Sequence, residues 1–278
     1  MSNKDKKVVK SFGEEWKKFD QSLESAQQDL QIEFEQYFSN FPWEILPPAA
    51  TGIDIGCGSG RWARFVAPKV GTLHCCDPAE EALEVAKRNL KHLPNCKFHL
   101  VSVDEIPFDN STMDFGYSLG VLHHIPDTKS GIMDAVRLLK RGAPFLLYLY
   151  YSFDNRPTWF KTLHRISEVG RKIISNMPFV PRFVVSQIIA ILIYFPFARI
   201  SNIFEKLGFD VDRFPLSAYR NRSFYLMRTD ALDRFGTRLE QRFSRKQIQD
   251  MMKEAGLVDI KFRSGTPYWC AIGIKSTL

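Results

Sequence analysis

Gly56, Gly58 and Gly60 fall at alternate positions directly after Thr51 to Ile55, a short apolar stretch that reads as a buried strand. Trp62 to Ala67 then read as the first turns of a helix. A strand that turns sharply into a helix needs residues without a Cβ, because the backbone must enter the positive-φ region and let a ligand lie against it. The free N–H groups at the start of that helix face whatever occupies the turn. Two carboxylates accompany the glycines. Asp54 stands two positions before Gly56, and Asp77 ends the next strand, Thr72 to Cys76, just before Pro78. A carboxylate at that strand end can accept both hydroxyls of a ribose; its plain alternative is to cap the helix that follows. Farther on, His123 and His124 close a fourth strand, Phe115 to Gly120. Imidazole titrates near neutrality and can take a proton from a reacting hydroxyl, or it can simply pack beneath a ligand.

The glycine spacing separates two classes of site. A dinucleotide fold wants G-x-G-x-x-G, with room for a pyrophosphate. This chain has Asp54-Ile55-Gly56-Cys57-Gly58-Ser59-Gly60, a D-x-G-x-G-x-G pattern. The pattern resembles the first motif of the class I S-adenosylmethionine (SAM)-dependent methyltransferases. Val121-Leu122-His123-His124 resembles the segment after strand four in the branch that contains quinone and small-molecule methylases. The resemblance covers about residues 51–150 and 243–275. It implies that Gly56, Cys57, Gly58 and Gly60 hold the methionine half of SAM, with Asp54 near its ammonium, and that Asp77 and Pro78 meet the ribose. The stretch around Val103 to Phe108 is similar to the third family motif, which receives adenine. By register Ser102 stands where the family usually has an acid and Val103 supplies an N–H, with Asp104 as the alternative acceptor. Leu119 completes the expected cofactor contacts. The implied chemistry is methyl transfer, with His123 or His124 as the base if the acceptor is a hydroxyl.

The elements that must position these groups alternate strand and helix, the signature of a doubly wound sheet. The expected fold is a Rossmann-like α/β sheet of seven mostly parallel strands with helices on both faces. Residues 1–50 read as an N-terminal helical lid, since Phe12, Trp16 and Phe19, then Leu30, Phe34, Tyr37 and Phe38, trace an apolar stripe. Their alternative is side packing on the domain. Residues 51–150 read as the SAM-binding core. Residues 243–278 complete it with a capped helix opened by Ser244 and stopped by Gly256, then an antiparallel strand pair. Between them, residues 151–242 are an insertion read as a helical substrate cap.

That insertion is basic and aromatic. From Tyr151 to Lys246 there are 17 Lys and Arg against 8 Asp and Glu, although the whole chain of 278 residues carries only +7. Arginine forks suit phosphate or carboxylate, so Arg220, Arg222 and Tyr225 are candidate acceptor contacts, together with Tyr151, Tyr268 and Trp269; a solvated basic face is the plain reading. Val184 to Ala198 is the most apolar run. It is shorter than the ~20 residues of a spanning helix and holds Gln187 and Pro196. It reads as a buried helix of the cap, with a membrane-interface helix as the alternative.

The five cysteines show neither C-x-x-C pairing nor histidines at ligand spacing. No metal site is expected, and buried thiols in a reducing, cytoplasmic setting are. The charged N-terminal residues lack the apolar run of a secretory signal. The expected acceptor is a small molecule, favoured as a hydroxyl of a sugar or glycan precursor. Carbon methylation of an apolar, membrane-associated ring such as a quinone precursor is the alternative. A non-catalytic SAM scaffold is the rival from another class. Nucleic acid is not an expected partner, because no N-P-P-Y-type segment follows strand four. Oligomeric state is not legible.

Overall fold

The computed structural model describes residues 2–21, 24–211 and 214–277. In chain order it contains α1 (Lys6–Lys18), α2 (Glu24–Tyr37), β1 (Thr51–Ile55), α3 (Ala63–Val66), β2 (Thr72–Asp77), α4 (Glu80–Asn89), β3 (Cys96–Leu100), β4 (Phe115–Leu119) and α5 (Thr128–Arg137). There follow β5 (Pro144–Tyr148), α6 (Thr158–Ile174), α7 (Phe179–Ile189), α8 (Phe195–Lys206), α9 (Phe224–Gly236), α10 (Arg245–Glu254), β6 (Leu257–Phe262) and β7 (Ala271–Lys275). The chain divides into two compact units. Residues 1–20, 30–152 and 239–278 form one; residues 21–29 and 153–238 form the other.

The first unit is the α/β core. Its seven strands run in the order β3-β2-β1-β4-β5-β7-β6, and only β7 is antiparallel to its neighbours. The order reverses between β1 and β4, which opens a crevice at their C-terminal ends. Apolar layers cover both faces of the sheet. Phe34, Phe38, Trp62, Leu73 and Tyr117 belong to one, and Ile53, Leu122, Ile132, Phe145 and Ile248 to the other. The capping box is present at Ser244 and Gln247, and Gly256 ends α10 at φ 89. Residues 1–50 do not form a unit of their own: all but 21–29 belong with the core, because α1 packs on α4 and the second half of α2 packs on the sheet.

Two local expectations change. The helix after the glycine turn lasts only four residues, since Pro68 cannot continue it and the chain tightens into a 3₁₀ turn, Ala67–Lys69. The apolar run is not a buried fifteen-residue helix. It lies within one continuous helical rod, Phe179–Lys206, of 28 residues, formed by α7, a π turn at Ala190–Tyr194 and α8. Most of its large apolar side chains are exposed.

The second unit is helical. Ala190, Tyr194 and Ala198 of the rod pack against Met227 and Ala231 of α9. Its polar groups point inward. Arg171, only 4% exposed, donates to the Thr237 carbonyl at 2.7 Å and pairs with Glu168. Arg234 reaches the same carboxylate. Burial opposes charge on Glu168, but the two guanidiniums prevail and hold its carboxyl down at about 2.

Within the core, Gly52 lies against the tip of the Phe115 ring, and a Cβ there would fall 2.0 Å from Cζ. Both residues are buried mid-sheet, so neither can retreat. Gly52→Ala should therefore lower unfolding stability by ~1–3 kcal/mol, read as a lower urea midpoint with an unchanged slope. A midpoint equal to wild type would contradict this packing.

Candidate active site

The glycine turn is tied to the neighbouring strand from both ends. The carbonyl of Cys76 accepts from Gly56 N at 2.8 Å and from Cys57 N at 3.0 Å. The Asp77 carboxylate accepts from Gly58 N and from Ala79 N, each at 2.9 Å. Gly56, Gly58 and Gly60 all have positive φ, at 77, 54 and 76. Space is restricted as well. A Cβ on Gly56 would lie 2.3 Å from Val121, and one on Gly60 would lie 2.7 Å from Leu90. The turn is therefore a bare backbone surface whose shape the adjacent carboxylate fixes.

Asp77 serves both expected readings at once, because its two bonds cap the start of α4 and brace the turn. A carboxylate has about four acceptor positions, so capacity remains for ribose hydroxyls. Asp54 is 1% exposed and accepts from the Tyr117 hydroxyl at 2.9 Å. Burial pushes its carboxyl up to about 7; the Tyr117 bond and Arg61 oppose that, and Asp77 reinforces it. Burial likewise raises Asp77 to about 6 against the pull of its backbone bonds. Two buried acids held near neutrality beside a bare turn form a surface that favours a cation.

The adenine-side residues gather on the turn after β3. Ser102 and Val103 are buried, and Pro78 is half-buried beside Asp77. The Ser102 hydroxyl lies 2.7 Å from Asp104 and 2.9 Å from Glu105, so its one hydrogen is held by these acids and its lone pairs are left to accept. Asn3 N donates to the other oxygen of Asp104 at 2.7 Å. Burial raises Asp104, but these hydrogen bonds outweigh it and hold the carboxyl below its usual range. Leu119 is buried at the end of β4.

The two histidines differ sharply. They follow Val121, which packs on Gly56. His123 is fully buried between His124 and Tyr150, each ring centroid 3.9 Å from its own, and neither of its nitrogens has a hydrogen-bond partner among the described residues. Burial, then His124 and Arg242, push its pKa well below the usual imidazole range, so it is neutral. His124 has its Nδ1 at 2.8 Å from the Leu239 carbonyl, while its Nε2 is buried without a partner among the described residues. A carbonyl can only accept, so Nδ1 carries a hydrogen, and the neutral form of the ring has its lone pair on Nε2.

Several neighbours of this site could not be named from spacing. Trp16 covers Gly58, with a Cβ there meeting its Nε1 at 3.0 Å. The Arg61 guanidinium lies 5.1 Å from the Trp16 ring and 4.8 Å from the Trp62 ring. Phe12 tilts against His124 at 5.0 Å, and Tyr37 meets Tyr148 edge-on at 5.1 Å. Among the expected acceptor contacts, Tyr151 and Tyr268 come together with centroids 5.4 Å apart, and Trp269 lies against Tyr268. Arg220, Arg222 and Tyr225 belong to the helical unit, where they have internal work. Arg220 pairs with Glu205 at 2.7 Å, Arg222 lies 3.7 Å from Asp29, and the Tyr225 hydroxyl accepts from Gln21 N. A salt-bridged guanidinium is a weak anion receptor, which removes the main reason for placing these residues on an acceptor. The five cysteines are all buried, and burial pushes Cys270 up to about 12.

Comparison with known proteins agrees with this geometry. Residues 53–142 match the family model described as a methyltransferase domain. An uncharacterised methyltransferase of Bacillus subtilis is 28% identical over 102 residues, covering 36% of this chain and 40% of that protein. The ubiquinone/menaquinone biosynthesis C-methyltransferase of Rickettsia felis is 25% identical over 166 residues, covering 54% of this chain and 66% of that one. The chain spans well under two thirds of the length of the first curated relatives it matches. A solved SAM-dependent methyltransferase of Thermotoga maritima shares the fold, with a TM-score of 0.52 at 14% identity over 95% of this chain and 99% of that one. Residues 53–142, with their glycine turn and paired acids, therefore carry a methyltransferase domain.

Proposed function

We propose that the protein transfers the methyl group of SAM to a hydroxyl of a small-molecule acceptor, with His124 as the general base. The fixed tautomer of His124 carries this reading: its Nδ1–H is committed to the Leu239 carbonyl, and its Nε2 lone pair is buried and unused. SAM fits the site on the protein's own terms, because the bare turn at Gly56 to Gly60 and the buried acids Asp54 and Asp77 suit a cationic nucleoside. When bound, SAM supplies a methyl carbon made electrophilic by its sulfonium. The chain's part is to align the acceptor and exclude water, and the aromatic groups around His124 (Phe12, His123 and Tyr150) suit that task. Nε2 of His124 would take the acceptor's hydroxyl proton, and the Leu239 carbonyl would steady the resulting imidazolium through Nδ1–H. His123, neutral and sandwiched, serves as a wall.

The sugar or glycan-precursor acceptor rested on the arginines of the insertion, and their internal pairing weakens that choice. Carbon methylation of an apolar ring is the second reading. It is favoured by the aromatic surroundings of the histidines, and the Rickettsia relative bears a C-methyltransferase name. It also retains a use for a base, which would remove the ring proton.

Two measurements test these assignments. His124→Asn should lower kcat by about 10²–10⁴-fold with SAM affinity unchanged. His123→Phe should lose far less. Equal turnover in His124→Asn and wild type would remove the base. SAM binding should also depend on pH with a defined sign. The cation binds the carboxylate forms, and Asp54 and Asp77 protonate as pH falls through about 7 and about 6. Affinity measured by calorimetry should therefore weaken from pH 8 to 5, with proton release on binding near neutrality, and Asp54→Asn should lose the upper part of this dependence. A flat profile in wild type would contradict the buried acids as cation-binding groups.

A further inference from the structure

The helical unit is arranged with much of its polarity inside and its apolar surface outside. Arg171, Arg182, Ser186, Ser201, Thr229 and Thr237 are buried. The guanidinium of Arg182 donates to the Gly236 carbonyl, and that of Arg199 donates to the carbonyls of Arg220 and Arg222. On the outside, α6 exposes Trp159, Leu163, Ile166, Val169 and Ile173, spaced i, i+4, i+7, i+10 and i+14. At 100° per residue these lie on one face. Exposed Arg165 and Lys172 border that stripe on one side. The rod Phe179–Lys206 exposes Val180, Val184, Ile188 and Ile191 through its first half, and Phe195, Ile200, Ile203 and Phe204 through its second, with exposed Leu207 directly after it. Ile166 is 65% exposed, Leu192 66% and Val180 70%. Monomeric soluble proteins rarely leave apolar stripes of this length uncovered.

We propose that the outer faces of α6 and of the 179–206 rod bind the surface of an anionic lipid bilayer, lying in the interface and not across it. Charge selects this occupant. Residues 153–238 hold 14 Lys and Arg against 7 Asp and Glu. A second copy would set a basic unit against a basic unit, whereas an anionic headgroup layer complements it. Basic residues beside an apolar stripe that includes tryptophan and phenylalanine are the pattern of an interfacial helix.

The rod is long enough to span a bilayer, at ~42 Å for its length, but its inner face rules out spanning. That face is packed on α9 through Ala190, Tyr194 and Ala198, and Gln187 is hydrogen-bonded to Arg228 at 2.5 Å. Spanning would carry α9, with Arg228, Asp230, Asp233 and Arg234, into hydrocarbon, where each charge is costly. Lying flat keeps these inner contacts and covers only the exposed stripe. The inference does not depend on the methyl acceptor, and it places this protein's working location at a membrane surface.

The full chain is floated on a density gradient with vesicles of phosphatidylcholine alone, and with vesicles containing about 30 mol% phosphatidylglycerol. It should rise with the anionic vesicles at low salt, far less with neutral ones, and return to the soluble fraction in alkaline carbonate. The pairs Ile166→Glu with Val169→Glu, and Ile188→Glu with Leu192→Glu, change exposed side chains only. Each pair should weaken partitioning about tenfold or more, with circular dichroism, thermal unfolding and SAM calorimetry unchanged. The SAM readout reports on the methyltransferase reading separately. Wild type that stays soluble with both vesicle types overturns the proposal, as do Glu variants that float like wild type. Retention through carbonate overturns the in-plane orientation. Loss of a dimer in the Glu variants, with no vesicle binding by wild type, assigns the face to a second copy and also overturns it.

Discussion

The site depends on one hydrogen-bonded joint, in which the end of β2 grips the turn that follows β1. Cys76 contributes its carbonyl to two successive N–H groups of the turn, and Asp77 contributes its side chain to a third. Positive φ at three alternating glycines makes the bend possible, but leaves a flexible backbone that loses much entropy when fixed. The Cys76 and Asp77 bonds offset that loss and set the curvature before any ligand arrives. Burial makes the Asp77 bonds matter more, since a buried carboxylate without donors is strongly disfavoured. The same burial raises the carboxyls of Asp54 and Asp77 toward neutrality. The requirement that shapes the turn therefore also tunes its preference for positive charge.

Much of this was legible in the sequence because it is local. The glycine spacing, the acid at the end of the second strand, the capping box at Ser244 and the stop at Gly256 each express a rule about a few adjacent residues. The alternation of strand and helix fixed the sheet, since parallel strands need crossovers and the crossovers could be counted. What spacing could not reveal was tertiary. Trp16 over Gly58 and Phe12 against His124 come from α1, far away in the chain, and their amphipathic stripe said only that one face is covered. Arg61 was hidden for another reason: as the residue after the last glycine it looked like the start of a helix, and that helix proved too short to matter.

The insertion shows how an apolar pattern misleads when the exposed and buried sides are both nonpolar or small. Val184 to Ala198 reads as core material by composition. In the fold, the side facing inward is made of Ser186, Ala190, Tyr194 and Ala198, and the bulk of the Ile, Leu and Phe faces outward. Small residues let the rod approach α9 closely, so packing selects them for the inner side, and the large residues are left outside. The Pro196 that argued against a long helix sits within the first turn of α8, just after the π turn, where the regular ladder is already interrupted. Proline there removes little, and the rod continues.

The segment from Leu239 to Phe243, where the chain re-enters the core after the insertion, bears most directly on the chemistry. Gln241 N donates to the His123 carbonyl at 3.0 Å, and its side-chain amide donates to the Ile125 carbonyl at 2.7 Å. Phe243 N bonds the Tyr150 carbonyl, and Ser152 N bonds the Phe243 carbonyl. The returning segment thus clamps the histidine turn on one side and the residues just after β5 on the other. It also supplies the Leu239 carbonyl that fixes the His124 tautomer. Apart from the Gln241 amide, backbone atoms do this work, so the side chains of residues 153–238 can vary without disturbing it, provided the return path is kept. That separates two demands on the sequence. The ring orientation of His124 is set by main-chain geometry at the edge of the core, and residues 153–238 are free to meet a different requirement, written in their exposed apolar faces.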